Sequence, residues 1–104
     1  MSVIANYVVL PPDKPKRLKL TDPHIEERTI RDPKTGMLKA VKALVFKCIE
    51  EDGVPVNKVF STLSVKLARM LMALWERRPD DYIYVEIVRH PMDYATEYEV
   101  RPLW

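Results

Sequence analysis

Glycine occurs only twice in these 104 residues, at Gly36 and Gly53, and both stand in turn signals between runs that alternate like β-strands. Asp32-Pro33-Lys34-Thr35-Gly36 ends the first such run, and Glu51-Asp52-Gly53 ends the second. With glycine otherwise absent, these two positions are expected to need positive φ. Two tight reversals give three consecutive antiparallel strands. The segment after the third has a different period, and two further alternating runs follow it.

The first strand is expected from about His24 to Arg31, with charge on both faces (Glu26, Glu27, Arg28). The second, from about Met37 to Glu50, is long. Leu38, Ala40, Lys42, Leu44, Phe46 and Cys48 form one row, and Lys39, Val41, Ala43, Val45 and Lys47 the other. Leu44, Phe46 and Cys48 read as buried, and Lys39, Val41 and Lys47 as more exposed, although a bulge in so long a strand can reassign either set. The third strand covers about Pro55 to Ser61, with Val56, Lys58 and Phe60 opposite Asn57 and Val59. Leu63, Leu67, Met70, Leu71, Leu74 and Trp75 then recur at helical spacing. Thr62 or Ser64 is placed to cap this helix, and Pro79 ends it. The methionine-leucine stripe reads as a core face. Tyr82 to Arg89 sets Ile83, Val85 and Ile87 against Tyr82, Tyr84, Glu86 and Val88, and a fifth strand runs from about Ala95 to Arg101.

Residues 1–23 read as an extended arm with a short strand at Tyr7 to Leu10, and residues 24–104 as the domain proper. Pro11-Pro12-Asp13-Lys14-Pro15-Lys16-Arg17 is rich in proline and lysine, which keeps the backbone extended. Such an arm either clamps a phosphate backbone or lies along a sheet edge and protects it.

Composition narrows the class. At 47% apolar and 31% charged residues the chain suits a single globular domain. No run of eighteen apolar residues is present, so no membrane partner is expected, and the apolar start at Met1 lacks the basic residues and cleavage site of a secretory signal. The single cysteine, Cys48, implies a reducing, cytoplasmic setting. Absent glutamine, two asparagines and nine prolines suggest a thermophile. Charge is uneven: residues 1–48 hold ten Lys/Arg against five Asp/Glu, whereas residues 49–104 hold seven against ten. A basic first half suggests an anionic partner, nucleic acid first; a solvated surface of mixed charge is the plainer alternative.

Little supports catalysis. His24, His90 and Cys48 are too scattered for a metal cluster, and His90 with Asp93 reads as an ordinary turn. Cys48 sits mid-strand on an apolar row, where thiols are inert. Ser61 and Ser64 lack a nucleophile elbow, and Lys34-Thr35-Gly36 has the wrong order for a phosphate loop and lacks its preceding glycines. Glu50, Glu51 and Asp52 are explained by the turn. No enzyme activity and no cofactor are expected.

A single-strand receptor needs cations along a groove and flat side chains for stacking. Arg28, Arg31, Lys34, Lys39, Lys42, Lys47 and Lys58 supply the first. Phe46, Phe60, Tyr82, Tyr84, Tyr94 and Tyr98 are the aromatic candidates, with Phe46 and Phe60 also read as core.

The order strand, strand, strand, helix, strand, strand (β-β-β-α-β-β) is that of a five-stranded OB-like Greek-key barrel, mainly β with one helix. From about His24 to Leu103 the chain resembles small OB-fold single-stranded DNA-binding proteins of the compact archaeal and phage-like kind. The residues behind this are the DPKTG hairpin, the strand VKALVFKCIEEDG, the run KVFSTLSVKLARML and the closing hairpin YIYVEIVRH with TEYEV. The resemblance implies binding of single-stranded DNA or RNA, DNA favoured, in replication or repair. It puts the site on the face of strands 2 and 3: Lys39, Val41, Lys47 and Lys58, with Arg31 and Lys34 in the first hairpin. Tyr82 and Tyr84 complete the expected site as an exposed stacking pair. Family members usually show clear stacking aromatics on that face, and here only Phe46 and Phe60 stand there. The alternative is a protein-interaction or assembly module, homo-oligomeric (a homodimer, for instance), using Tyr82, Tyr84, Trp104 and an arm that adds a strand to a neighbour.

Overall fold

The computed structural model describes residues 6–93 and 95–104; the aromatic candidate Tyr94 and the first five residues lie outside the described residues. Five strands and one helix follow in the order β1 (Lys16–Arg31), β2 (Leu38–Glu51), β3 (Val54–Thr62), α1 (Val65–Glu76), β4 (Ile83–Pro91) and β5 (Thr96–Pro102). They form one antiparallel sheet in the order β3-β2-β1-β4-β5.

Both glycines take positive φ, 72° at Gly36 and 85° at Gly53. Asp52 also lies at φ 51°, so Asp52-Gly53 is a two-residue reversal with both central residues left-handed, the form that matches strand twist. At the first hairpin, the Asp32 side chain accepts from the Lys34 amide at 2.8 Å, and the Gly36 amide donates to the Asp32 carbonyl.

The largest departure from expectation is where β1 begins. It starts at Lys16, eight residues before His24, so residues 16–23 belong to the sheet. Lys16–Leu20 pairs with β4 on one side while the same strand pairs with β2 on the other. Leu18 and Leu20 are fully buried, with Arg17 and Lys19 turned outward. Asp22-Pro23 obscures this run. Proline demotes a strand, but here it falls at a register shift between Thr21 and His24, where Asp22 has φ 51°.

The core gathers Leu18, Leu20, Leu44, Phe46, Cys48, Phe60, Ile83, Val85 and Ile87 from the sheet, with Leu67 and Leu71 from α1. Ser64 caps the helix: its hydroxyl accepts from the Leu67 amide at 3.1 Å, while the Thr62 hydroxyl accepts from the Ser64 amide. Trp75 meets Phe46 edge to face at 6.2 Å.

A closed cylinder needs a ladder between β3 and β5, and among the described residues none forms, so the sheet is open there. Two elements bridge the opening. Helix α1 packs against both β3 and β5. The arm runs beside β3, where the Val8 amide donates to the Val59 carbonyl and the Val59 amide to that of Asn6, both at 2.9 Å. It then reaches β4, where the Asp13 amide donates to the Arg89 carbonyl and the Arg89 guanidinium to the Leu10 carbonyl. Val8 and Leu10 pack on the core. The described part of the arm therefore protects an edge of its own sheet.

Candidate functional site

β1 and β2 outrun their neighbours. β3 pairs with β2 only from Leu44 onward, and β4 pairs with β1 only over Lys16–Leu20. Residues 26–31 and 38–43 thus form a two-stranded ribbon projecting from the body. Cross-strand register assigns each side chain to a face, because directly opposed residues share one.

The outer row of β2 holds Lys39, Val41, Ala43, Val45 and Lys47, opposite Ile30, Arg28, Glu26, His24 and Thr21. Lys39 and Lys47 are exposed, and neither forms an ion pair among the described residues. Ala43 and Val45 are buried although they face outward. Arg28 accounts for this. It starts on β1 and donates to the Ser61 hydroxyl on β3 at 3.1 Å, so its side chain crosses β2 between Val41 and Val45. A second bond, 3.3 Å to Glu26, fixes the guanidinium.

The other expected site residues divide. Lys58 is opposite Cys48, on the core-side row, and donates to Glu51 at 2.9 Å, with Lys16 3.5 Å from the same carboxylate. Arg31 is opposite Leu38, on the ribbon face away from Lys39, and donates to the Gly36 carbonyl at 2.8 Å. Lys34 is exposed in the turn. Tyr82 and Tyr84 are half-buried beside Lys19, whose ammonium lies 5.1 and 5.3 Å from their ring centres. Lys19 in turn bonds Glu50 at 2.6 Å, and that bond, ahead of the ring and carboxylate charges, raises its pKa. The structure thus brings Lys39, Val41 and Lys47 onto one row, with Tyr82 and Tyr84 further along the same outer surface. It separates Lys58 and Arg31 from them.

Arg28, a candidate cation in the sequence but outside the expected strand 2–3 site, joins this outer row. No local pattern announces this position, because it depends on the register that sets Arg28 opposite Val41 and Ser61 opposite Val45.

Other chemistry is quiet. Burial pushes the Cys48 thiol up to about 11, leaving it protonated at neutral pH. Among the described residues no three His, Cys, Asp or Glu side chains gather as a metal site, and no helix is long and apolar enough to cross a membrane. Compared with family models, with curated proteins and with solved structures, the chain matches none.

Proposed function

We propose that this chain is a non-enzymatic, OB-like module that binds single-stranded nucleic acid, DNA in preference to RNA, across the outer face of β2. The architectural support is the strand order β3-β2-β1-β4-β5 with a helix between the third and fourth strands, the connectivity of an OB barrel whose last seam is bridged by α1 and the arm. The observation that carries the reading is a contrast among cations. Lys16, Arg17, Lys19 and Lys58 on the body are each neutralised by a carboxylate. Lys39 and Lys47 on the outer row are not.

These two lysines stand eight residues apart on one strand, about 26 Å at the usual rise, a length that suits a site of several nucleotides. Arg28 lies between them, and Tyr82 with Tyr84 offers rings beyond the Lys47 end. Backbone phosphates would meet Lys39 and Lys47, with Arg28 exchanging its 3.3 Å bond to Glu26 for phosphate, and bases would take the place of the Lys19 ammonium over the tyrosine rings.

Anisotropy of labelled oligo-dT and oligo-U at 50 and 200 mM salt tests this. Binding should weaken with salt, and Lys39→Glu with Lys47→Glu should cost at least about ten-fold while flattening the log–log salt slope by about 1.4, or 0.7 for each lost single-strand contact. No binding to oligo-dT at low salt overturns the proposal.

A further inference from the structure

We infer that the groove between the base of the ribbon and helix α1 is a second, separate binding site, and that it takes an acidic peptide segment bearing a large apolar side chain from a partner protein. The groove has a volume of about 270 Å³. Ile25 and Leu44 form its ribbon wall, and Leu63, Val65, Ala68 and Met72 form the wall on the helix side. Three of these aliphatic residues stay in water: Ile25 is 60% exposed, Leu63 47% and Val65 64%. Gathered along one concavity, they make a contiguous apolar patch of the kind that marks an interaction site.

Charge selects the occupant. Only Lys42 and Arg69 among the lining residues are charged, one on each wall, and neither forms an ion pair among the described residues. Glu27 is opposite Lys42 in the ladder and does not neutralise it within salt-bridge distance. A segment with an apolar anchor and flanking carboxylates satisfies floor and rim together. A second copy of this chain offering its exposed ribbon tip does not, because Met37 and Leu38 there are flanked by Arg31, Lys34 and Lys39. The groove also lies on the ribbon face that Leu44 shares, opposite to the outer row of Lys39 and Lys47. Its occupancy is therefore independent of the nucleic-acid proposal.

The test uses the full chain and a fluorescein-labelled peptide carrying one phenylalanine and one leucine among aspartates. Saturable binding is expected, weakened at least ten-fold by Val65→Glu and by Arg69→Glu and unchanged by Lys39→Glu. A counterpart with lysine for aspartate should not bind. Val65 and Arg69 are exposed, so both variants should melt as the parent does, and either one alone suffices for the comparison. Four results would each overturn the inference: no saturation at millimolar peptide, equal binding by both variants, displacement of the peptide by oligo-dT, or a concentration-dependent dimer that Val65→Glu dissolves.

Discussion

β1 and β2 run side by side for most of their length, yet their two halves have opposite surroundings. In the body, Lys16–Thr21 and Val45–Glu51 are flanked by β4 and β3, bury Leu18, Leu20, Phe46 and Cys48, and pair Lys16, Arg17 and Lys19 with Glu50, Glu51, Asp52 and Glu86, leaving Lys47 on the outer row free among the described residues. In the ribbon, residues 26–31 and 38–43 have no third strand, and Met37 and Leu38 at its tip are 69% and 68% exposed. The same alternating pattern therefore builds a core in one place and a displayed surface in the other. What separates them is the number of neighbouring strands, a property of topology that no single strand's sequence carries.

The most severe test of this contrast is a pair of truncations. Phe46→Ala removes a fully buried ring that also meets Trp75, and should cost about 3–5 kcal/mol in denaturant unfolding. Leu38→Ala, an equally apolar change on the ribbon, should cost less than about 0.5 kcal/mol. Equal costs would mean that the ribbon is packed in solution.

A smaller effect is expected among the charges. Glu51 is largely buried between Lys58 and Lys16, and one of its oxygens has no hydrogen bond. Glu51→Ala leaves the Lys58 ammonium without its carboxylate and Lys16 with only Asp52 at 3.9 Å, for a loss of about 1–3 kcal/mol by thermal melting. Lys39→Glu with Lys47→Glu should leave the melt within about 0.5 kcal/mol of the parent, since neither lysine holds the fold together. A large loss from the lysine pair would instead assign the outer row to stability.

Arg28→Met sharpens the boundary between the halves. The methionine stem keeps the cover over Ala43 and Val45 but loses the bonds to Ser61 and Glu26, so stability should fall by about 1 kcal/mol or less. If Arg28 reaches phosphate as proposed, oligo-dT affinity should fall in the same variant, a split that a purely structural arginine would not give.

Much of this was readable from the residues. Period-two alternation placed β2 to β5 within one or two residues of their observed ends, and the stripe from Leu67 to Trp75 placed α1, because each element has one face on the core. The alternation even put Lys58 in Phe60's row, the core side, where Glu51 now holds it; grouping it with Lys39 followed charge and ignored the pleat. Two features were hidden for physical reasons. Lys16, Leu18 and Leu20 alternate as a strand should, but the prolines before them and Pro23 after them signal an arm. The burial of Ala43 and Val45 depends on a side chain from one strand crossing a second to reach a third, a contact with no local signature. The pairing of cations, which decides the candidate site, likewise depends on which strands become neighbours.

The finest distinction is between two histidines, one on each part of the molecule. His90 on β4 bonds Asp13 of the arm at 2.6 Å and stands 3.3 Å from Glu99 on β5, and these partners, Asp13 first, raise its pKa above the ordinary 6.5. His24, at the root of the ribbon, is raised by its bond to Glu26 and then by the Asp22 carbonyl, partners only two residues away. A raised folded-state pKa means that each histidine stabilises while protonated. That contribution is complete below about 6.5 and is lost as pH climbs through the raised value. Only His90 ties distant segments together, so only its titration should loosen the arm. Amide exchange at Val8 and Asp13, whose protons are bonded to Val59 and Arg89, should quicken beyond the intrinsic pH trend as His90 deprotonates. His90→Ala should show the loosened arm already at pH 6, and His24→Ala should not. Arm amides equally protected in His90→Ala and the parent at pH 6 would show that the backbone bonds to β3 and β4 secure the arm without the imidazolium.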